Sequence, residues 1–339
     1  MFGCRSCNFS CEYCMGPDKQ YNEKFSINEN KLLYSIENYI KLKKDKRVAF
    51  SIWGGEPLFH FNELKQTILF LRKNYPNCKI IFSTNGFLLS NKEYQEFILQ
   101  NHIKLQLSHD GVGQIFRSNF NPLDNHNISL FLAKLIKTNQ LTINCVMHNK
   151  NPSVSNNIKY FSNWMTKYKC MNSTLNIRFT PFNESCLTPS FNFSKESLNT
   201  FIDEYEQLYI YGLFGKKRNK LLNHFIKYPL KIIKKANFEK CNWEDSNSCA
   251  KFYSGKSEIS NHIDTKGNYL SCNLIDSGIQ PRGKTIKKIP TYCEKCEFKM
   301  TRGCWPCPAG DFTEKCEYKK EWMNFQRRMI LLKELSNKT

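Results

Sequence analysis

Val48-Ala49-Phe50-Ser51-Ile52-Trp53-Gly54-Gly55-Glu56-Pro57 reads as a short apolar strand running straight into a glycine-flanked polar turn. The pattern returns twice. Lys79–Ser83 leads into Thr84-Asn85-Gly86, and Ile103–Ser108 leads into His109-Asp110-Gly111. Leu141–Met147 and Leu175–Thr180 are two more runs of strand character. Amphipathic stretches with helical spacing lie between them, at roughly 29–44, 62–74, 91–100, 127–138 and 154–168. Ser26-x-x-Glu29 and Ser90-x-x-Glu93 read as capping boxes at two helix starts. Strands joined by helical crossovers pair in parallel. The spacing therefore predicts an α/β fold, an open or closed barrel.

Ligands of parallel α/β sheets bind where the strands end. Three consecutive strands that end in glycine and polar residues point to one shared site. Glycine lets backbone approach a ligand closely. Glu56 is expected to offer a carboxylate to an ammonium group. Asn85, Ser108 and Asp110 are expected to offer hydrogen bonds to hydroxyls or amides.

Upstream lies Cys7-Asn8-Phe9-Ser10-Cys11-Glu12-Tyr13-Cys14. Three thiolates at this spacing can hold three corners of a [4Fe-4S] cube and leave one iron open to a small molecule. Cys4 extends the run to C-x2-C-x3-C-x2-C, which could instead close a four-thiolate zinc site. The strand-end motifs favour the open cube, because they call for a ligand at the same mouth.

The chain has 339 residues, enough for a large domain and a smaller one, and its 40% hydrophobic content fits a globular protein. No run of about 18 apolar residues exists, so no membrane span is expected. Nothing before Cys4 resembles a secretory signal, which makes a cytoplasmic location the expectation. Reducing compartments keep thiols free. The sixteen cysteines are therefore read mainly as metal ligands, except Cys78, Cys145, Cys170 and Cys186, which read as core residues. The formal charge of +20 is concentrated partly in Lys216–Lys235, a basic helical-looking stretch suited to an acidic peptide, a nucleic acid, a lipid surface or simply water.

Cys7-x3-Cys11-x2-Cys14, with Tyr13 before the last cysteine, resembles the radical S-adenosylmethionine (SAM) signature, and Gly54-Gly55-Glu56-Pro57 resembles that superfamily's GGEP motif. The resemblance spans roughly residues 4–185. It implies a partial (β/α)6 barrel and an open iron that chelates the SAM methionine. Reductive cleavage would then yield a 5′-deoxyadenosyl radical that abstracts a substrate hydrogen. It also implies SAM contacts from Tyr13, Gly54, Gly55, Glu56, Pro57, Asn85, Ser108, Asp110 and Arg117, the last toward the SAM carboxylate.

The C-terminal half is similar to the SPASM domain of radical SAM peptide and protein maturases. The likeness rests on Gly267-x4-Cys272, Cys293-x2-Cys296-x7-Cys304-x2-Cys307 and Cys316. It implies two auxiliary [4Fe-4S] clusters, one on Cys241, Cys249, Cys272 and Cys307, the other on Cys293, Cys296, Cys304 and Cys316. The sulfatase-maturing branch places an aspartate base directly after the G-x4-C cysteine. Asn273 stands there, and an amide cannot take that proton.

The domain boundaries expected are 1–185 for the barrel, 186–238 for a basic helical bridge, 239–318 for the auxiliary cluster domain and 319–339 for a closing helix. The implied partners are a peptide or protein substrate and a low-potential electron donor such as flavodoxin or ferredoxin. Modification of a nucleic acid, nucleotide or sugar is the competing reading, and a non-catalytic zinc-binding protein is a third. The identity of a catalytic residue is not legible in the sequence.

Overall fold

The computed structural model describes residues 6–14, 28–43, 49–182, 188–214, 263–264, 266–268 and 317–336. Five strands form one sheet: β1 (Ala49–Ile52), β2 (Lys79–Thr84), β3 (Lys104–Ser108), β4 (Leu141–Met147) and β5 (Asn176–Pro181). The spatial order is β1-β2-β3-β4-β5, and every pairing is parallel. The helices are α1 (Glu29–Lys43), α2 (Phe61–Asn74), α3 (Lys92–Gln100), α4 (His126–Lys137), α5 (Val154–Lys167), α6 (Lys195–Phe214) and α7 (Glu317–Ser336). Strand order that never reverses, with right-handed crossovers, puts the crossover helices on one side of the sheet. The other side is left to form a lumen.

The strands carry that division in their sequence. Ile80, Phe82, Leu105, Leu107, Ile143, Cys145, Ile177 and Phe179 are buried in the main core with residues of the helices. Each such aliphatic or aromatic side chain contributes about 1.5–3 kcal/mol by leaving water. The alternate positions, including Ser83, Gln106, Asn144 and Arg178, are only partly buried and polar. Cys78, Cys145 and Cys170 are buried thiols, as expected; Cys186 lies outside the described residues.

Local capping sets the helix starts. Asn125 accepts from Ile128 N at 3.1 Å and Ser153 from Asn156 N at 3.1 Å. At α3 the cap is Asn91, which accepts from Glu93 N at 2.9 Å, and not Ser90. Ser90 instead ends a 3-10 turn that begins at Phe87. The expected box at Ser26 lies outside the described residues.

Two distant segments close on this framework. In α7, Trp322 stacks on Phe201 of α6 at 5.5 Å, and Arg328 pairs with Glu206 at 3.1 Å. A tight turn at Asp264–Asn268 sits on α1, where Ser35 Oγ donates to Gly267 O at 2.7 Å and Lys31 Nζ to Asn268 Oδ1 at 2.6 Å. Gly267 has φ +79, and a Cβ there would lie 2.7 Å from the Lys31 carbonyl oxygen. Both the left-handed backbone and the close approach require glycine.

No helix among the described residues is long and apolar enough to cross a membrane.

Candidate functional site

The cysteine loop lies against the C-terminal ends of the strands, held on several sides. Glu56 N donates to Ser6 O at 2.8 Å, which ties the approach to Cys7 onto the turn after β1. Asn85, after β2, donates from Nδ2 to Asn8 Oδ1 at 2.8 Å and lies 3.9 Å from Cys7 Sγ. Glu12 N donates to Phe116 O at 3.1 Å, and Lys150 Nζ lies 3.7 Å from the Glu12 carboxylate. Phe9 packs edge-on against Phe87 and Phe120.

Tyr13 is the deepest anchor. Its hydroxyl donates to Asp110 Oδ2 and accepts from Arg117 Nη1 at 2.7 Å. Its ring packs among His148, Phe182 and Phe191. The Asp110 carboxylate also accepts from Val146 N at 2.8 Å and pairs with Arg117 at 3.4 Å. Burial pushes the Asp110 carboxyl up, against the pull of Arg117, Tyr13 and the Val146 amide. Burial opposes the charge on Arg117, yet Asp110, Tyr13 and Cys11 hold the guanidinium protonated above its ordinary range. Two buried histidines flank this network, and desolvation lowers both His109 and His148 to about 4, so both are neutral at pH 7.

Glu56 lies deeper than the turn that carries it. It is fully buried, and its carboxylate accepts from Leu58 N at 3.1 Å, Thr84 Oγ1 at 2.9 Å and Asn85 N at 2.7 Å. The carboxylate braces two strand exits by accepting from three protein donors, and it keeps lone-pair capacity beyond them. Desolvation raises it to about 7, against those hydrogen bonds. Asp110 and Asn85 likewise bond within the protein. Of the three hydrogen-bonding residues expected to face a ligand, Ser108 keeps a hydroxyl with no partner among the described residues. Gly54 is partly exposed, Gly55 is exposed, and Pro57 is buried at the start of a 3-10 turn, so the main chain of the turn faces outward while its carboxylate faces in.

Sequence reasoning missed the clamp behind Asp110. Asn151 Nδ2 donates to Asp110 O at 2.9 Å, Asn157 Nδ2 donates to Asn151 Oδ1 at 3.0 Å, and Val112 N donates to Asn157 Oδ1 at 3.0 Å. Gly111 and Gly113 make room for it: a Cβ would lie 2.0 Å from Asn157 Oδ1 or 2.6 Å from Asn151 Nδ2. The available signal was the exit of the fourth strand, His148-Asn149-Lys150-Asn151, which is as polar as the three exits before it.

Cys7 and Cys14 are exposed and Cys11 is partly buried, and none of the three is in a disulfide. Cys7 Sγ is nevertheless crowded by Phe9 N at 3.4 Å and by Asn85, and desolvation pushes its thiol up to about 11. Among the described residues no three His, Cys, Asp or Glu side chains converge where one metal ion would sit. Tetrahedral zinc demands that convergence. A cube does not, because each thiolate binds a separate iron. The three thiols, set on a loop at the barrel mouth, fit such a group. Cys4 and the eight cysteines from Cys241 to Cys316 lie outside the described residues.

Residues 1–150 match the radical SAM superfamily. GTP 3′,8-cyclase of Helicobacter pylori (strain ATCC 700392 / 26695) is 38% identical over 87 residues, 25% of this chain and 26% of that protein. The chain thus spans about a quarter of the length of that curated relative. Among solved structures, native anSMEcpe with bound AdoMet superposes with a TM-score of 0.63 at 17% identity, covering 99% of this chain and 97% of that one. Native anSMEcpe with bound AdoMet and Kp18Cys peptide gives 0.63 at 16% identity, covering 100% and 98%. At these identities the likeness is one of fold.

Proposed function

We propose that this chain is a radical SAM enzyme that modifies a side chain of a peptide or protein, by crosslinking, epimerisation or oxidation. The observation that carries the reading is the seating of Cys7, Cys11 and Cys14 on the strand exits that bear Glu56, Asn85 and Asp110. A [4Fe-4S] cluster bound there with one iron open would supply the electron that cleaves SAM to methionine and a 5′-deoxyadenosyl radical. Cys4 stays outside that cube. The chain's own residues do the rest. The main chain of Gly54, Gly55 and Glu56 offers polar groups to the SAM methionine, and Ser108 offers a hydroxyl to the ribose. Tyr13, Asp110 and Arg117 lock the loop, and Arg117 presents positive charge toward the SAM carboxylate. The peptide complex of anSMEcpe supports the substrate class.

The region from 239 to 318 is proposed to carry two auxiliary clusters on its eight cysteines, with a flavodoxin- or ferredoxin-like donor supplying electrons. Formylglycine formation is not part of the proposal, because Asn273 replaces the required base. A second reading, modification of a nucleotide, draws on the GTP 3′,8-cyclase match and the +20 charge.

Anaerobic reconstitution followed by reduction with SAM tests the central claim. Wild type should form 5′-deoxyadenosine, and Cys11→Ala should lose it, because two remaining thiolates do not hold the cube. Turnover by Cys11→Ala at the wild-type rate would overturn the assignment.

A further inference from the structure

The polar faces of β4 and β5 carry one charge. Ile177 and Phe179 point into the helix-side core, where Phe179 meets Tyr205 of α6 at 6.3 Å. Arg178 therefore points to the other face, into the lumen. By the same alternation Ile143 and Cys145 are core residues and Asn144 faces the lumen. Ser108 pairs in register with Asn144, and Asn144 with Arg178, so the three side chains form one rung across β3, β4 and β5. Adjacent strands are about 4.8 Å apart, within reach of a single small ligand group.

Nothing described neutralises Arg178. The rung below it is Gln106, Thr142 and Asn176, all uncharged. Above it, the Asp110 carboxylate is already engaged by Arg117, Tyr13 and Val146 N. No carboxylate among the described residues pairs with Arg178. Beside it, Asn144 Oδ1 is buried without a hydrogen-bond partner among the described residues. An unmet buried acceptor carries a desolvation penalty that a ligand N–H can relieve. Tyr13, Phe182 and Phe191 form an apolar collar that also includes Val146, the residue one rung above Asn144. Such surroundings strengthen a guanidinium–carboxylate pair.

We propose that Arg178 and Asn144 form a receptor for an acidic residue of the peptide substrate. The guanidinium takes the side-chain carboxylate in a two-pronged pair, and Asn144 Oδ1 accepts a peptide N–H. Inorganic phosphate could answer Arg178 but supplies no comparable amide donor for Asn144. The +20 charge of the chain favours an acidic partner. This inference rests on the peptide-modifying reading above.

The test uses the full chain with clusters reconstituted and SAM saturating. Calorimetry compares N-acetyl-Ala-Glu-Ala-amide with its Gln counterpart, with GTP as a third probe. Wild type should bind the Glu peptide at least about tenfold more tightly than the Gln peptide. Arg178→Met should erase that preference and Arg178→Lys should restore part of it. Asn144→Leu should weaken both peptides alike. Equal binding of the two peptides, or binding of neither, overturns the proposal. So does Arg178-dependent binding of GTP without binding of the Glu peptide, which would favour a nucleotide. Loss of SAM affinity in Arg178→Met with peptide preference intact would also overturn it, by assigning the guanidinium to SAM. Formation of 5′-deoxyadenosine by wild type without peptide reports on the radical reading separately.

Discussion

Glu56 shows how a motif residue can sit where the sequence expects it and also brace the fold around it. Its position after β1 was legible from the apolar run that precedes it. Its chemistry was not, because two donors, Thr84 Oγ1 and Asn85 N, come from 28 and 29 residues away. The raised carboxyl has a direct consequence for stability. Between its ordinary value of 4.5 and about 7 the folded chain holds a proton that the unfolded chain has released. Folding stability contributed by this group is thus full below 4.5 and is lost as pH rises through about 7, by on the order of 3 kcal/mol. Glu56→Gln should remove that falling component, so that the variant's melting temperature declines less than wild type's from pH 5 to pH 8. At pH 5 the variant should also be less stable, by about 1–3 kcal/mol, because its amide faces the Asn85 N–H with a donor. Thermal unfolding across pH checks both; an unchanged pH slope would mean that Glu56 does not titrate there.

At the level of elements, the turn after β3 is held from behind by side chains of the segment after β4 and of α5. Gly113 lacks the positive φ of Gly111, so its substitution tests space alone. Gly113→Ala should push Asn151 away from the Asp110 carbonyl and loosen the Tyr13 anchor. The expected cost is about 1–3 kcal/mol, with weakened SAM binding measured by equilibrium dialysis. Gly267→Ala is the corresponding test at α1. It should lower the melting temperature and raise amide exchange in α1 while sparing β2–β4; unaltered exchange in α1 would show that the turn is not a support. The strands and helices themselves were legible to within a residue or two, since periods of two and of three to four are local properties. The clamp was not, because Asn151 and Asn157 acquire their role only when the crossover brings them beside β3.

For the whole molecule, the expected metal content separates the proposed regions. Reconstituted wild type should hold about twelve irons per chain, four for each of three cubes. Cys296→Ala should fall toward about eight while still forming 5′-deoxyadenosine, and iron analysis with product assay checks this. A content of about four in wild type would leave only the N-terminal cluster. The sheet and the mouth were readable as one unit because each βα step repeats the last. The polar rung through Arg178 was not, since it exists only across three strands in register. One feature of this plan bears on how the chain is made. Strand pairing joins each βα step to the one before, so the sheet can grow in order as synthesis proceeds. The supports arrive last. Lys31 meets Asn268 across 237 residues, and Tyr209 of α6 meets Met329 of α7 across 120. Contacts this distant in sequence carry a large loop-closure cost and form late. A nascent chain stopped before Asn268 would therefore carry its cysteine loop on a sheet whose first helix still lacks its brace.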